Sequence, residues 1–267
     1  MKNEPTTQFS IGRGFLGAAT MASGVLQLVT SDFVRLVPKL PAWVPAPSAW
    51  AYLAGAALVV IGLAIASGRM ARPAASVLAV MLLVDLVFLY APSLVATPGM
   101  DYPFLRGFMW TNPLKVLALV GGASLVVTRS RSDTPVLSAL AQAVAKLEPL
   151  AVPFLALFLV VCGIQHFVYS DFVTTLVPAW MPAQPFWTYF TGVALMSGGV
   201  GLMVRSTARL AASLSSLMIF LWVLMLHIPR AFAGPNHANE TAGVFEALAL
   251  SGVALMVAAT RAQRSDH

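Results

Sequence analysis

Charged residues are scarce in this sequence. Asp, Glu, Lys and Arg together make up 10% of its 267 residues, whereas 58% are hydrophobic. A soluble domain carries roughly 25% charged residues, so this chain cannot cover a water-facing surface, and we predict an integral membrane protein in a lipid bilayer. The net charge of +6 does not indicate a nucleic-acid partner, because the basic residues stand in short loops between apolar runs.

Cysteine is almost absent. Cys162 is the only one, which excludes an internal disulfide, a CxxC redox pair and a metal site built from several cysteines. We expect no metal site. Cys162 stands four residues before His166, so the two share one face of a helix. Both a His-activated nucleophile and a small buried thiol fit this spacing, and the sequence favours the buried thiol.

Long apolar runs are what the sequence does contain. Eight of them approach the roughly 17–25 residues that cross a bilayer as a helix. Helix is the predicted state because hydrocarbon offers no other partner to backbone N–H and C=O groups. We therefore predict an all-α membrane protein with eight transmembrane helices, at about 11–30, 49–67, 74–92, 113–128, 150–169, 186–204, 211–228 and 241–260.

The two sets of four runs carry related sequence. The tetrapeptide SDFV stands at 31–34 and again at 170–173, and the Pro- and Trp-rich segments that follow align with a two-residue gap. A match of this kind over about thirty residues indicates a tandem duplication. The predicted units are a first four-helix repeat at 1–128, a cytoplasmic linker at 129–149 and a second four-helix repeat at 150–267.

The positions of Lys and Arg predict the orientation. Most precede the first run, follow the eighth, or link runs two to three, four to five and six to seven. The positive-inside tendency places these segments, and both termini, in the cytoplasm. Arg35, Lys39, Arg106 and Arg230 are exceptions. Because each repeat has an even number of runs, the repeats should be related by rotation about the membrane normal.

The linker and the outer connections each allow two interpretations. A short amphipathic helix and an ordinary polar connection both fit the linker. The Pro- and Trp-rich connections after the first and fifth runs suit either the aromatic belt at the headgroups or lids over an outward-opening cavity.

Ionisable side chains are more numerous in the second repeat. Several positions differ in chemistry: Gln27 aligns with His166, Tyr90 with His227, and Lys115 approximately with Glu246. Ionisable groups at membrane depth are costly and usually face a cavity. We therefore predict an outward-facing pocket in the second repeat, with the candidate residues His166, His227, Arg230, Glu240, Glu246, Trp180 and Tyr189.

The candidates also have purely structural interpretations. A His near a helix end often serves only as an interfacial hydrogen-bonding group, and Arg230 can pair with Glu240 or with a lipid phosphate. Glu246 lies about two turns into a run and needs a partner or a proton. In the first repeat we expect an ion pair between Asp85 and Lys115.

These residues resemble the DoxX-like family of bacterial membrane proteins. The resemblance is carried by GIQHF at 163–167, by the connection VPAWMP with FWTYFTG after it, and by HIPR at 227–230. The second repeat matches throughout, whereas the first lacks both histidines and looks like a degenerate copy. The resemblance implies a multi-pass protein of the bacterial inner membrane, with membrane redox proteins as partners in thiosulfate:quinone or thiol-redox systems.

Three functions follow as hypotheses. One is a subunit of a quinone-linked oxidoreductase, with His166 or His227 hydrogen-bonded to a quinone carbonyl. A haem held by both histidines is the less favoured cofactor. Another is a non-enzymatic scaffold or a module that binds a small molecule or lipid, and a transporter is the least favoured. The sequence does not decide whether the protein is an enzyme.

Overall fold

The chain is all-helical, with no strand, in the residues that a computed structural model describes: 6–33, 44–95, 110–130, 137–233 and 237–265. The prediction of an all-α protein is confirmed. Its helices are α1 (Thr7–Thr30), α2 (Pro47–Ser67), α3 (Ala71–Asp85), α4 (Ala91–Val95), α5 (Thr111–Arg129), α6 (Ser138–Ala145), α7 (Ala151–Val168), α8 (Ser170–Leu176), α9 (Gln184–Met203), α10 (Ala208–Trp222), α11 (Ile228–Ala233) and α12 (His237–Ser265).

Within these residues, six helical stretches are long and apolar enough to cross a membrane. They are Pro47–Ser67, Ala71–Tyr90, Thr111–Arg129, Ser138–Val168, Ala208–Ala233 and His237–Ala262. The protein is therefore a multi-pass membrane protein by length and composition. Helices α1 and α9, of 24 and 20 residues, coincide with the other two predicted spans, but they are not among the six.

Helices α3 and α10 are each prolonged by a π-helical turn, at Leu86–Tyr90 and Val223–His227. Pro92 and Pro229 stand two residues after these turns. A proline donates no backbone N–H and crowds the carbonyl four residues earlier, so the hydrogen-bond ladder widens at this point. Both turns end on a residue that the sequence comparison aligned, Tyr90 in one and His227 in the other.

Helices α5 and α12 form the centre of the bundle. In each of them 78% of the apolar span is buried, against 28% for α2. The remaining helices pack around this pair: α1 contacts α2 and α12, α7 contacts α9 and α5, α3 contacts α5, and α10 contacts α12. These contacts form matching pairs: α1 with α2 corresponds to α7 with α9, α1 with α12 to α7 with α5, and α3 with α5 to α10 with α12.

Small residues let the helix backbones approach closely, as is typical within membranes. A Cβ on Gly24 of α1 would lie 2.5 Å from the Gly55 carbonyl oxygen of α2. A Cβ on Gly163 of α7 would lie 2.7 Å from the Gly192 carbonyl oxygen of α9. The sequence comparison aligns Gly24 with Gly163 and Gly55 with Gly192, so matched glycines form matched contacts.

The predicted linker contains a helix where the sequence allowed one. Helix α6 buries Ala141 and Val144 and packs against α3 and α5, while Lys146 just after it is exposed. The linker segment 131–136 lies outside the described residues. So does 34–43, which holds most of the first Pro-rich outer connection.

Candidate functional site

A cavity of about 670 Å³ lies among α5, α7, α9, α10 and α12. This volume is within the range of small-molecule pockets, roughly 300–1,000 Å³. Most of its lining is aliphatic or aromatic. The polar side chains that line it are Thr111, Lys115, Cys162, Gln165, His166, Thr191, His227 and Glu246.

His166 lies in the last turn of α7, on the face that lines the cavity. Its Nδ1 is 2.8 Å from the carbonyl oxygen of Cys162, and its ring is stacked on Trp222, with the centroids 6.3 Å apart. A carbonyl oxygen can only accept, so Nδ1–H is the donor and Nε2 of the neutral ring is an acceptor. His166 therefore offers Nε2 to a ligand.

Cys162 lines the same cavity one helical turn before His166. The hydrogen bond from His166 goes to the backbone carbonyl of Cys162, not to its sulfur. Through this nitrogen the imidazole therefore does not activate the thiol. Of the two interpretations of Cys162, the geometry agrees with the inert thiol.

His227 ends the π-helical turn after α10 and also lines the cavity. The widened turn sets the direction of this side chain, because a π turn rotates the residues that follow it relative to a regular α-helix. Pro229, which causes the turn, is thus part of what positions His227.

Lys115 and Glu246 form an ion pair in the cavity wall. Lys115 Nζ donates to Glu246 Oε2 at 2.7 Å, and only 12% of the lysine side chain and 5% of the glutamate side chain are exposed. Lys115 belongs to α5, so the first half of the chain contributes to the cavity of the second. The predicted pair between Asp85 and Lys115 is wrong, because Glu246 is nearer to the lysine and Asp85 lines a different cavity.

Arg230 and Glu240 bind each other. Arg230 Nε and Nη2 donate to the two Glu240 oxygens at 3.0 and 2.7 Å. This is a bidentate pair between α11 and the start of α12. Arg230 lies three residues beyond His227 in the chain. Neither residue is in the described lining of the cavity, so the structure agrees with the structural interpretation of Arg230.

Trp180 and Tyr189 also lie away from the described lining. Trp180 is 66% exposed, and Tyr189 packs on Phe167, with the ring centroids 5.5 Å apart. The aromatic rings that do line the cavity include Trp187, Phe190 and Trp222. Of the seven candidate residues, the cavity therefore brings together three: His166, His227 and Glu246.

The connection between α8 and α9 roofs the cavity. Val177, Pro178 and Met181 line it, and side chains of α9 hold the connection in place. Gln184 Nε2 donates to the Val177 carbonyl at 3.1 Å, and Trp187 Nε1 donates to the Pro182 carbonyl at 3.1 Å. The Pro- and Trp-rich connection is thus a lid fixed by hydrogen bonds.

Sequence reasoning missed the polar groups that α5 supplies. Thr111 donates to Gln165 Oε1 at 2.7 Å in a buried bond between α5 and α7, and Lys115 binds Glu246. The predicted pocket lies within the second repeat, so the sequence analysis predicts no contribution from α5. The opposite charges at the aligned positions 115 and 246 were a signal that pointed to such a contact.

A second, smaller cavity of about 120 Å³ lies in the first half, among α1, α2, α3, α5 and α12. Gln27 and Asp85 line it, and Glu246 lines it as well as the larger cavity. The ion pair of Lys115 with Glu246 therefore stands between the two cavities.

These features define a multi-pass, all-helical membrane protein with a large apolar cavity that holds a few polar groups. Residues 9–91 match the family model described as DoxX, so this part of the chain is DoxX-like. Residues 155–262 match a domain of unknown function (DUF8561). The family is the one that the motifs predicted, but its match lies in the first half, not on the His-containing segment. Comparisons with curated proteins and with solved structures gave no match.

Proposed function

We propose that the protein binds a lipid-soluble molecule with a polar head, a quinone, in the large cavity, and that it serves as a subunit of a quinone-linked membrane oxidoreductase system. One observation carries the proposal. The cavity is overwhelmingly apolar, yet His166, His227 and the Lys115–Glu246 pair all line it. A quinone head presents two carbonyl acceptors on a flat ring, and an apolar tail completes the molecule.

The polar groups suit such a head. Lys115 Nζ is a donor held at a fixed place by Glu246 and by the Asn112 side chain, 3.4 Å away. The stacked rings of His166 and Trp222 supply a flat surface on which an aromatic head can lie. Imidazole, with its unperturbed pKa near neutrality, is suited to exchange a proton with a reduced head.

The surroundings suit an apolar tail. Phe190 of α9 and Leu214, Leu217 and Leu221 of α10 line the cavity and are 42–56% exposed on the outside of the bundle. Residues that border both the cavity and the lipid-facing surface support access from the bilayer between α9 and α10. This position is where a molecule dissolved in the membrane would arrive.

The topology belongs to the same proposal. Eight helices, α1 and α9 among them, cross the inner membrane of a bacterium, and both termini are cytoplasmic. The chain arose by tandem duplication, and the halves are related by a twofold rotation about an axis between α5 and α12. Matched residues facing each other support this: Lys115 contacts Glu246, and Gly122 approaches Val253 with the same separation in sequence.

The main alternative is a non-enzymatic module that binds a lipid. The exposed leucines of α10 at the cavity edge suit an acyl chain as well as an isoprenoid tail. In that case the lysine and histidines would bind a phosphate or glycerol head, and no electron transfer would take place.

Mass spectrometry of molecules retained by the purified protein tests the proposal. We expect a quinone to co-purify in an amount comparable to that of the protein. Ala194→Trp, which fills the cavity, should remove it. Val193→Trp places the same ring on the neighbouring exposed position and should retain it. A stoichiometric phospholipid in place of the quinone would favour the alternative, and retention unaffected by Ala194→Trp would refute the assigned cavity.

A further inference from the structure

The small cavity of the first half contains a buried side-chain oxygen that has no hydrogen-bond donor among the described residues. Its polar lining consists of Thr20, Ser23, Gln27, Asp85 and Glu246, and the rest is apolar. Gln27 is only 5% exposed, and its Oε1 is buried and accepts no hydrogen bond from the described residues. An unsatisfied buried carbonyl costs free energy, so a bound group that this oxygen can contact would stabilise the fold.

The three residues on α1 face the cavity together. Thr20, Ser23 and Gln27 follow one another at spacings of three and four, so they share one face of the helix. The Thr20 hydroxyl donates its proton to the Leu16 carbonyl at 2.8 Å. Its oxygen therefore remains as an acceptor on the cavity side. The face presents amide and hydroxyl oxygens along two turns of helix.

The cavity also contains carboxyl groups. Two carboxylates line it, Asp85 and Glu246. Glu246 is balanced by Lys115 at 2.7 Å, whereas Asp85 has no ion-pair partner among the residues that the structure describes. A single carboxylate at membrane depth requires either a proton or a cation beside it.

We propose that this cavity binds one alkali-metal cation. Carboxylate, amide and hydroxyl oxygens are ligands for hard cations, and one unbalanced negative charge matches a single positive charge. The second half differs at the aligned positions, with Cys162 in place of Ser23 and His166 in place of Gln27. Those substitutions replace hard oxygens by sulfur and nitrogen, so we expect no equivalent cation site around Cys162 and His166.

The site is independent of the quinone but is adjacent to it. Glu246 lines both cavities, so a cation beside Asp85 would act electrostatically on the ion pair that borders the large cavity. The binding experiment below measures the cation alone and needs no quinone. Failure of the quinone proposal therefore leaves this proposal standing, and the reverse also holds.

Radioactive sodium and thermal unfolding of the full chain in detergent provide the test. We expect saturable binding of one ²²Na⁺ per protein, displaced by unlabelled NaCl. A ligand that binds only the folded state raises the unfolding temperature, so NaCl, KCl or LiCl should stabilise the protein in a saturable way relative to choline chloride at equal ionic strength. Asp85→Asn should abolish both effects. Asp171→Asn removes an exposed carboxylate on α8 and should leave them unchanged.

Two further variants keep the test decisive if Asp85→Asn does not fold. Gln27→Leu and Ser23→Ala each remove one proposed oxygen ligand and should weaken ²²Na⁺ binding without altering Lys115 or Glu246. Absence of saturable binding to the parent protein would overturn the proposal and leave a cavity that holds water. Binding that persists unchanged in the Gln27 and Ser23 variants would also overturn it.

Discussion

Lys115 and Glu246 occupy approximately corresponding positions in the two halves of the chain, and their side chains bind each other at 2.7 Å. In an exactly repeated protein the same residue would face its own copy at this place. Two lysines or two glutamates would then repel each other in a buried setting. The opposite signs remove that conflict, so the ion pair holds the two halves of this one chain together.

We expect the fold to depend on this pair. Lys115→Met or Glu246→Gln should lower the free energy of unfolding by about 3–5 kcal/mol, because removal of one partner leaves the other charge buried and uncompensated. Exchange of the charges by Lys115→Glu with Glu246→Lys should restore most of the loss. Unfolding in a denaturing detergent measures the three variants.

The pair between Arg230 and Glu240 serves as the comparison. It is more exposed, with 33% and 18% of the side chains accessible, so Glu240→Gln should cost less than Glu246→Gln. A charge-exchanged Lys115/Glu246 protein that is no more stable than the single variants would contradict the role assigned to the ion pair.

The second prediction concerns the close contact of α7 with α9 at Gly163. Gly163→Ala should destabilise the protein by about 1–3 kcal/mol, the usual cost of forcing extra atoms into a packed core. Its Cβ would lie 2.6 Å from Met196 Cγ and 2.7 Å from the Gly192 carbonyl oxygen. Thermal unfolding in detergent measures the loss.

Gly14 offers a matched control, because a Cβ there meets nothing within 4 Å. Gly14→Ala should be neutral or stabilise the protein by up to about 1 kcal/mol, the gain in helix propensity. Equal destabilisation by both substitutions would show that α7 and α9 are not held together by the approach of Gly163 to Gly192.

Much of the fold could be predicted from the sequence because apolar runs of membrane length leave few alternatives to helix. Each of the eight predicted runs coincides with a long helix. The π turns were not predicted, although Pro92 and Pro229 mark them. A proline usually ends a helix or kinks it, whereas here the helix widens and continues into α4 and α11.

The site was predicted less completely, for a physical reason. His166, His227 and Glu246 were identified because ionisable groups are costly in a membrane. That argument gives the depth of a residue but not its partner. The predicted partner of Lys115, Asp85, is therefore wrong, and Trp180 and Tyr189 lie outside the described lining of the cavity. Which face of each helix meets which neighbour depends on packing between the halves.

Orientation in the membrane is a third prediction. We expect both termini to be cytoplasmic, because most Lys and Arg residues between the apolar runs lie on that side. A reporter that folds only in the cytoplasm should be active when fused after residue 267, and inactive when fused within the connection between α8 and α9. The opposite pattern would reverse the topology and place the lid over the large cavity in the cytoplasm.

The last prediction separates the roles of the two halves. Tyr90 and His227 end equivalent π turns, but only the histidine can exchange a proton near neutral pH. His227→Tyr should fold nearly as the parent does, since the first half already accommodates tyrosine at the aligned position. It should nevertheless reduce the quinone retained on purification, because the imidazole that lines the cavity is lost.

Tyr90→Phe is the matched control for that variant. It removes a hydroxyl that is hydrogen-bonded to the Asn112 side chain, and it leaves every described residue of the large cavity in place. Quinone retention, measured by mass spectrometry against protein amount, should therefore equal that of the parent. Loss of retention in Tyr90→Phe, with normal retention in His227→Tyr, would show that the ligand is held by the first half. The smaller cavity would then be the one to examine for the quinone head, since Gln27 and Asp85 are its main polar groups.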